Sequence, residues 1–187
     1  MVLSGGAAAR LDGVDKSALE HAGRTLLQHA LDAVAAASEV VVVGPTVPTS
    51  QAVTFTRESP PGGGPLAGLA AGVAALVGTP PLVVVLAVDM PHVTADTVAR
   101  LLAAVGQGEG AWLVDGAGRR QLAGVVPRAL VPAPGDSSGV PMRALMGRER
   151  TVEVASVGHE ADDVDTWADL ARLRVADIGP TPRGDRT

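Results

Sequence analysis

Lys16 is the only lysine in a chain of 187 residues whose 15 cationic side chains are otherwise all arginine. It closes the stretch LSGGAAARLDGVDK, Leu3–Lys16, in which Gly5 and Gly6 let backbone N–H groups approach an anion closely. Small residues, then an ammonium, with the Arg10 guanidinium between them, are the parts of a phosphate cradle. The spacing matches neither GxxxxGK[ST] nor GxGxxG. On these residues alone, a phosphate loop and a structural turn bearing a surface lysine are equally open.

Two further carboxylate positions could do chemistry. Asp89 directly follows the apolar run PLVVVLAV, so its side chain falls at the carboxyl end of a buried strand, the edge at which open α/β sheets bind ligands. One or two such oxygens hold Mg²⁺ when substrate phosphates supply the rest; the alternative is an aspartate capping the turn at Met90-Pro91. Asp162, Asp163 and Asp165 crowd three carboxylates ahead of Thr166, where they either bind a cation or favour a helix dipole. The four histidines form no Ser/His/Asp or Cys/His arrangement. His92 follows the Asp89 loop, His29 is read as a helix-surface residue, and His21 and His159 as loop residues.

The elements that must position these groups alternate between strand and helix signals, which predicts a mostly parallel sheet covered by helices. A short strand at Val2-Leu3 precedes the glycine loop. A helix is predicted within Arg24–Ala37, a buried strand at Glu39–Gly44, and a helix from Pro65 to about Val77 after the breaker SPPGGGP. Thr94 is the expected N-cap of a helix ending near Val105. AWLVD, QLAGVVP and TVEVA read as later strands and PMRALMG as a short helix. Thr166 with Asp169 resembles a capping box. The domain is expected to span residues 1–175, with a disordered tail over 176–187. The first strand is so short that the chain is expected to begin several residues late.

Composition excludes several classes. A net charge of −5, a pI near 5.3 and only Phe55, Trp112 and Trp167 as aromatics argue against nucleic-acid binding. With no cysteine there is no disulfide framework or thiolate metal site. Apolar runs of about ten residues fall short of the ~20 needed to span a bilayer. A soluble cytoplasmic protein without membrane partners is the expectation.

The order of the motifs resembles that of the molybdenum cofactor guanylyltransferases, within the wider nucleotidyltransferase superfamily. LSGGAAARLDGVDK is similar to their LAGGxxxRMGGxDK signature, and GPLAGL (Gly64–Leu69), AVDMP (Ala87–Pro91), QLAGVVPRAL, MRALM and DVDTWADL follow in register. The resemblance implies a single-domain, three-layer Rossmann-like nucleotidyltransferase fold. It also implies transfer of GMP from Mg-GTP to molybdopterin, with passing contacts to other cofactor-biosynthesis proteins. Leu3, Ser4, Gly5 and Gly6 then match the nucleotide-binding segment and Lys16 the phosphate-binding lysine. Arg10 is a second cation for the phosphates. Glu58 falls near an acidic position that helps to hold the nucleotide, Asp89 matches the magnesium ligand, and Asp163 and Asp165 match a pair near the reacting phosphates. With a carboxylate at Asp165 a second metal contact is available. Lys16, Arg10 and Asp89 are the expected catalytic groups, and Lys16→Ala is expected to abolish turnover without harming the fold.

Four positions depart from the pattern. Asp12 replaces a glycine and repels phosphate if it points inward. Gly44 stands where a base-contacting asparagine is common, which leaves CTP as a rival to GTP. Asp163 and Asp165 replace asparagines. A non-catalytic nucleotide-binding homologue is the third reading.

Overall fold

The computed structural model describes residues 1–5, 14–106, 109–148 and 150–176. Gly6, Arg10 and Asp12 lie outside these residues, as does the tail beyond Ala176.

Val-rich runs form the central strands, as a mostly parallel sheet covered by helices on both faces demands. The sheet has seven strands: β1 (Val2–Leu3), β4 (Val41–Val43), β5 (Thr54–Thr56), β6 (Leu82–Ala87), β7 (Ala111–Val114), β8 (Arg120–Pro127) and β9 (Val152–Ala155). Their order is β5-β4-β1-β6-β8-β7-β9. β4 and β6 flank β1 in parallel, β5 extends β4 in parallel, and β9 extends β7 likewise; β8 alone runs against its neighbours. The chain therefore leaves β1 towards one edge and later returns to pair on its other side. That makes β1 a topological switch point, where carboxyl ends of strands diverge and leave a crevice.

Alternation along the strands splits the core into two layers. Val2, Val42 and Leu86 face α1 (Leu26–Ala33), α3 (Ala95–Val105) and α5 (Trp167–Ala176). Leu3, Val41, Val43, Val83, Val85 and Trp112 face α2 (Pro65–Ala74) and α4 (Arg143–Met146). This is the three-layer arrangement expected from the sequence. Among the described residues no helix is long and apolar enough to cross a membrane.

The helix predicted within Arg24–Ala37 is shorter. Its first residues are taken by a hairpin of β2 (Glu20–His21) and β3 (Arg24–Thr25), closed by Ala22 and Gly23 with φ of 49° and 74°. Two consecutive positive-φ residues give the tight turn whose twist suits a hairpin. Thr25 then caps α1 by accepting from the Gln28 N–H at 3.1 Å. Pro65 opens α2 and Thr94 caps α3 as expected, although Thr97 rather than an acid completes the capping box.

Candidate active site

A cleft of about 870 Å³ opens at the carboxyl ends of β1, β4, β5 and β6. Leu3, Ser4 and Gly5 form its floor, Lys16 and Asp89 one end, and Gly44, Arg57 and Glu58 line it too. The Ser4 N–H is spent on the Val43 carbonyl at 2.9 Å and the Leu3 carbonyl on the Val88 N–H at 3.0 Å. Both bonds carry the sheet pairing one residue past β1.

Lys16 is set by its neighbours. Asp15 accepts from the Ser17 N–H (2.9 Å) and the Ser17 hydroxyl (2.7 Å), which winds Lys16–Ala18 into a single 3-10 turn over the buried Ser17. From there the ammonium donates to Asp89 Oδ2 at 2.8 Å and to Asp165 Oδ1 at 2.6 Å. Asp165 arrives because the Val164 N–H donates to the Asp89 carbonyl at 2.9 Å, laying residues 163–165 along the end of β6. Thr166 and Asp169 then cap one another's backbone, as the capping-box spacing implied.

The Lys16 side chain is only 18% exposed. Burial alone would lower its pKa, but the hydrogen bonds and charges of Asp165 and Asp89 outweigh it and raise the pKa above the ordinary lysine value. An ammonium has three N–H donors. Two are taken by carboxylates, which leaves one for an oxygen in the cleft.

The two carboxylates meeting a cation fit a divalent metal by donor type. Among the described residues no group of three His, Asp or Glu side chains is placed to hold one. Asp89 and Asp165 thus suit an ion that takes its remaining ligands from water and substrate, as Mg²⁺ does.

Asp163 separates from this pair. It faces a second cavity of about 430 Å³ lined also by Asp115, Arg119, Asp169 and Arg172. Lost hydration at the cavity wall, then the charges of Asp165 and Asp89, raise its carboxyl above the usual range. Glu58 lines the main cleft, but its Oε1 accepts from the Gly62 N–H at 3.1 Å and so also shapes the loop before α2.

His29, His21, His92 and His159 form a row, with successive ring centroids 5.5, 5.4 and 5.7 Å apart. His29 Nε2 also lies 3.0 Å from the His21 carbonyl, and His159 Nδ1 lies 2.8 Å from Asp162. The row joins the hairpin after Lys16, the loop after Asp89 and the segment before Asp165, so it packs together the three stretches that bear the triad. Nothing in the histidine spacing could have revealed it, since all of its contacts except the one within the hairpin and α1 are long-range.

The model of the MobA-like NTP transferase domain family matches residues 1–152. The chain belongs to that family. A molybdenum cofactor guanylyltransferase of Bradyrhizobium sp. (strain ORS 278) is 36% identical over 112 residues, 56% of this chain and 53% of that protein. The match thus spans about half the length of the curated relative. Among solved structures, molybdopterin-guanine dinucleotide biosynthesis protein A from Archaeoglobus fulgidus superposes with a TM-score of 0.73 at 17% identity, over 96% of this chain and 98% of that one. Rv0371c from Mycobacterium tuberculosis, in complex with manganese, gives 0.73 at 19% identity, over 94% and 96%. At these identities the structures establish that this MobA-like domain has the nucleotidyltransferase fold.

Proposed function

We propose that this protein transfers GMP from Mg-GTP to the terminal phosphate of molybdopterin, releasing pyrophosphate. The observation that carries the reading is the convergence of Lys16, Asp89 and Asp165 at the end of a cleft of nucleotide size. Family membership and the partial likeness to a guanylyltransferase support it, as does the manganese bound by a protein of the same fold.

The chemistry suits these residues. The acceptor phosphate has a second pKa of about 6 and is largely dianionic at neutral pH. It attacks the α-phosphorus directly; the new P–O bond forms as the α–β bridge breaks and pyrophosphate leaves with the electron pair. No proton must be removed, so no nucleophile–base pair is required. The obstacle is repulsion between anions, and catalysis reduces to positioning and charge neutralisation. Lys16 directs its remaining N–H at the α-phosphate or the departing oxygen. Asp89 and Asp165 hold Lys16 in line, and they are the residues that would hold Mg²⁺. When bound, the ion offsets phosphate charge and orients the triphosphate.

The test is turnover: purified protein, Mg²⁺, molybdopterin and either GTP or CTP, with pyrophosphate and dinucleotide product quantified. GTP-dependent release of one pyrophosphate per product is expected. Preferential use of CTP would assign a sister activity, and nucleotide binding without pyrophosphate would make this a non-catalytic homologue.

A further inference from the structure

We propose that Arg57 selects the nucleobase by donating to a carbonyl oxygen on it, an inference that rests on the nucleotide reading above. The cleft crosses four strands. Lys16 and Asp89 mark its phosphate end beside β6, and β6 is separated from β5 by β1 and β4. Three strand spacings of about 4.8 Å make roughly 14 Å, a length suited to an extended nucleotide. With the phosphates at β6, the base lies over the ends of β4 and β5.

At that end the wall is made by Gly44, Pro45, Arg57 and Glu58. Residue 44 offers no side chain for reading a base, and it could not readily do so: a Cβ there would stand 3.0 Å from the Ser4 Cβ and 3.2 Å from the Ser4 carbonyl carbon. Arg57 follows β5 directly, and its Nε–H donates weakly, at 3.4 Å, to the Gly44 carbonyl. That contact lays the guanidinium across the strand ends where a base would rest. Glu58 is tied to the Gly62 N–H. Among the described residues Arg57 is therefore the cation of the base end, and a guanidinium offers only donors.

Donors select acceptors. Guanine presents O6 and N7 side by side, the pair an arginine engages in bidentate fashion, whereas adenine places an amino group at the position of O6. Facing Arg57, that amino group would set donor against donor and leave both unpaired, which is discrimination by repulsion as well as by attraction. Cytosine also presents adjacent acceptors, O2 and N3, so Arg57 sets guanine and cytosine alike apart from adenine, and CTP is carried into the test as the rival.

Calorimetry on the intact protein with Mg²⁺ tests this, using GTP, ITP, ATP, CTP and inorganic tripolyphosphate against wild type and Arg57→Ala. Arg57 is exposed, so the variant should fold. Wild type is expected to bind GTP and ITP, which share O6, at least tenfold tighter than ATP. In Arg57→Ala that advantage should vanish while tripolyphosphate affinity stays unchanged. Undiminished GTP binding by the variant would overturn the proposal. An equal loss for tripolyphosphate would also overturn it, making Arg57 a phosphate ligand. CTP preference that disappears in Arg57→Ala would uphold Arg57 as the carbonyl reader while removing the guanylyltransferase reading. Wild type that binds none of the nucleotides would overturn both.

Discussion

The Lys16 ammonium meets the Asp89 carboxylate at 2.8 Å across 73 residues of sequence, and the same nitrogen holds Asp165 at 2.6 Å. A side chain read from sequence as an exposed loop lysine is thus largely shielded, and it is the counter-ion of two acids. Removing it leaves carboxylates facing one another.

Lys16→Ala is accordingly expected to lower kcat by about 10²–10³, the cost of one preorganised charge contact in the transition state. It should also lower stability by about 1 kcal/mol, since the two acids lose their hydrogen-bonded partner. Adding Asp89→Asn should restore the stability and none of the activity, which separates the two effects. The raised lysine pKa makes the folding contribution of Lys16 complete below about pH 10, fading only as pH rises through the folded value. The stability difference between wild type and Lys16→Ala should therefore be flat from pH 6 to 9 in chemical denaturation. A difference that collapsed within that window would refute the assigned pairing.

Asp163→Asn is expected to stabilise the protein near neutrality. The folded carboxyl is raised by lost hydration and by Asp165 and Asp89, so the fold prefers it protonated. Ionisation costs stability as pH climbs from the ordinary aspartate value through the raised one. Because Asp163 is exposed and screened, the gain should be small, roughly 0.5 kcal/mol or less. It should shrink below pH 4 and in high salt. Denaturation midpoints across pH, at two ionic strengths, check the sign.

Much of this architecture was legible because burial on both faces leaves a strong imprint: the runs at Val41–Val43 and Leu82–Ala87 are as apolar as central parallel strands must be, and Asp89 terminates one of them. The helix caps at Thr94 and Thr166 were legible because a side-chain oxygen there replaces missing backbone partners. β5 escaped notice because Thr54–Thr56 is a short, half-exposed edge strand with little hydrophobic pattern. The β2–β3 hairpin escaped because its turn is Ala-Gly, a weak signal beside Asn-Gly. Asp163 and Asp165 look equivalent in sequence, and a regular extended segment would put residues two apart on one face; only Asp165 meets Lys16, while Asp163 lines the second cavity, a divergence that alternation does not foretell. The histidine row and the Lys16 triad depend on tertiary contacts that no local pattern encodes.

Glu160 supplies an acid-sensitive tether for the segment leading to Asp165. It accepts from the Thr97 hydroxyl at 2.6 Å and the Val157 N–H at 2.7 Å, and it pairs with Arg100. Burial alone would raise its pKa, but these donors outweigh it and lower it below the ordinary glutamate range. The stability it confers is present above that ordinary value and is lost as pH falls through the depressed one. Glu160→Gln should cost about 1–2 kcal/mol at pH 7, and the two proteins should converge as pH drops below 4. Equal stability at pH 7 would remove the tether from the account.

Gly124 in β8 is the position at which the sheet tolerates least. A Cβ there would lie 2.6 Å from the Ala111 carbonyl oxygen and would also overlap the Trp112 ring, which is fully buried. The indole fills the space a side chain would need, and the neighbouring backbone prevents the strand pair from opening. Overpacking of this kind typically costs 1–3 kcal/mol, and a clash with backbone puts Gly124→Ala at the upper end, about 3 kcal/mol. For a chain of this size that is roughly 6–12 °C in Tm. Trp112→Leu in the same background should recover only part of the loss, because the Ala111 carbonyl remains. Full recovery by Trp112→Leu would show the ring alone to be the obstacle and the backbone able to yield.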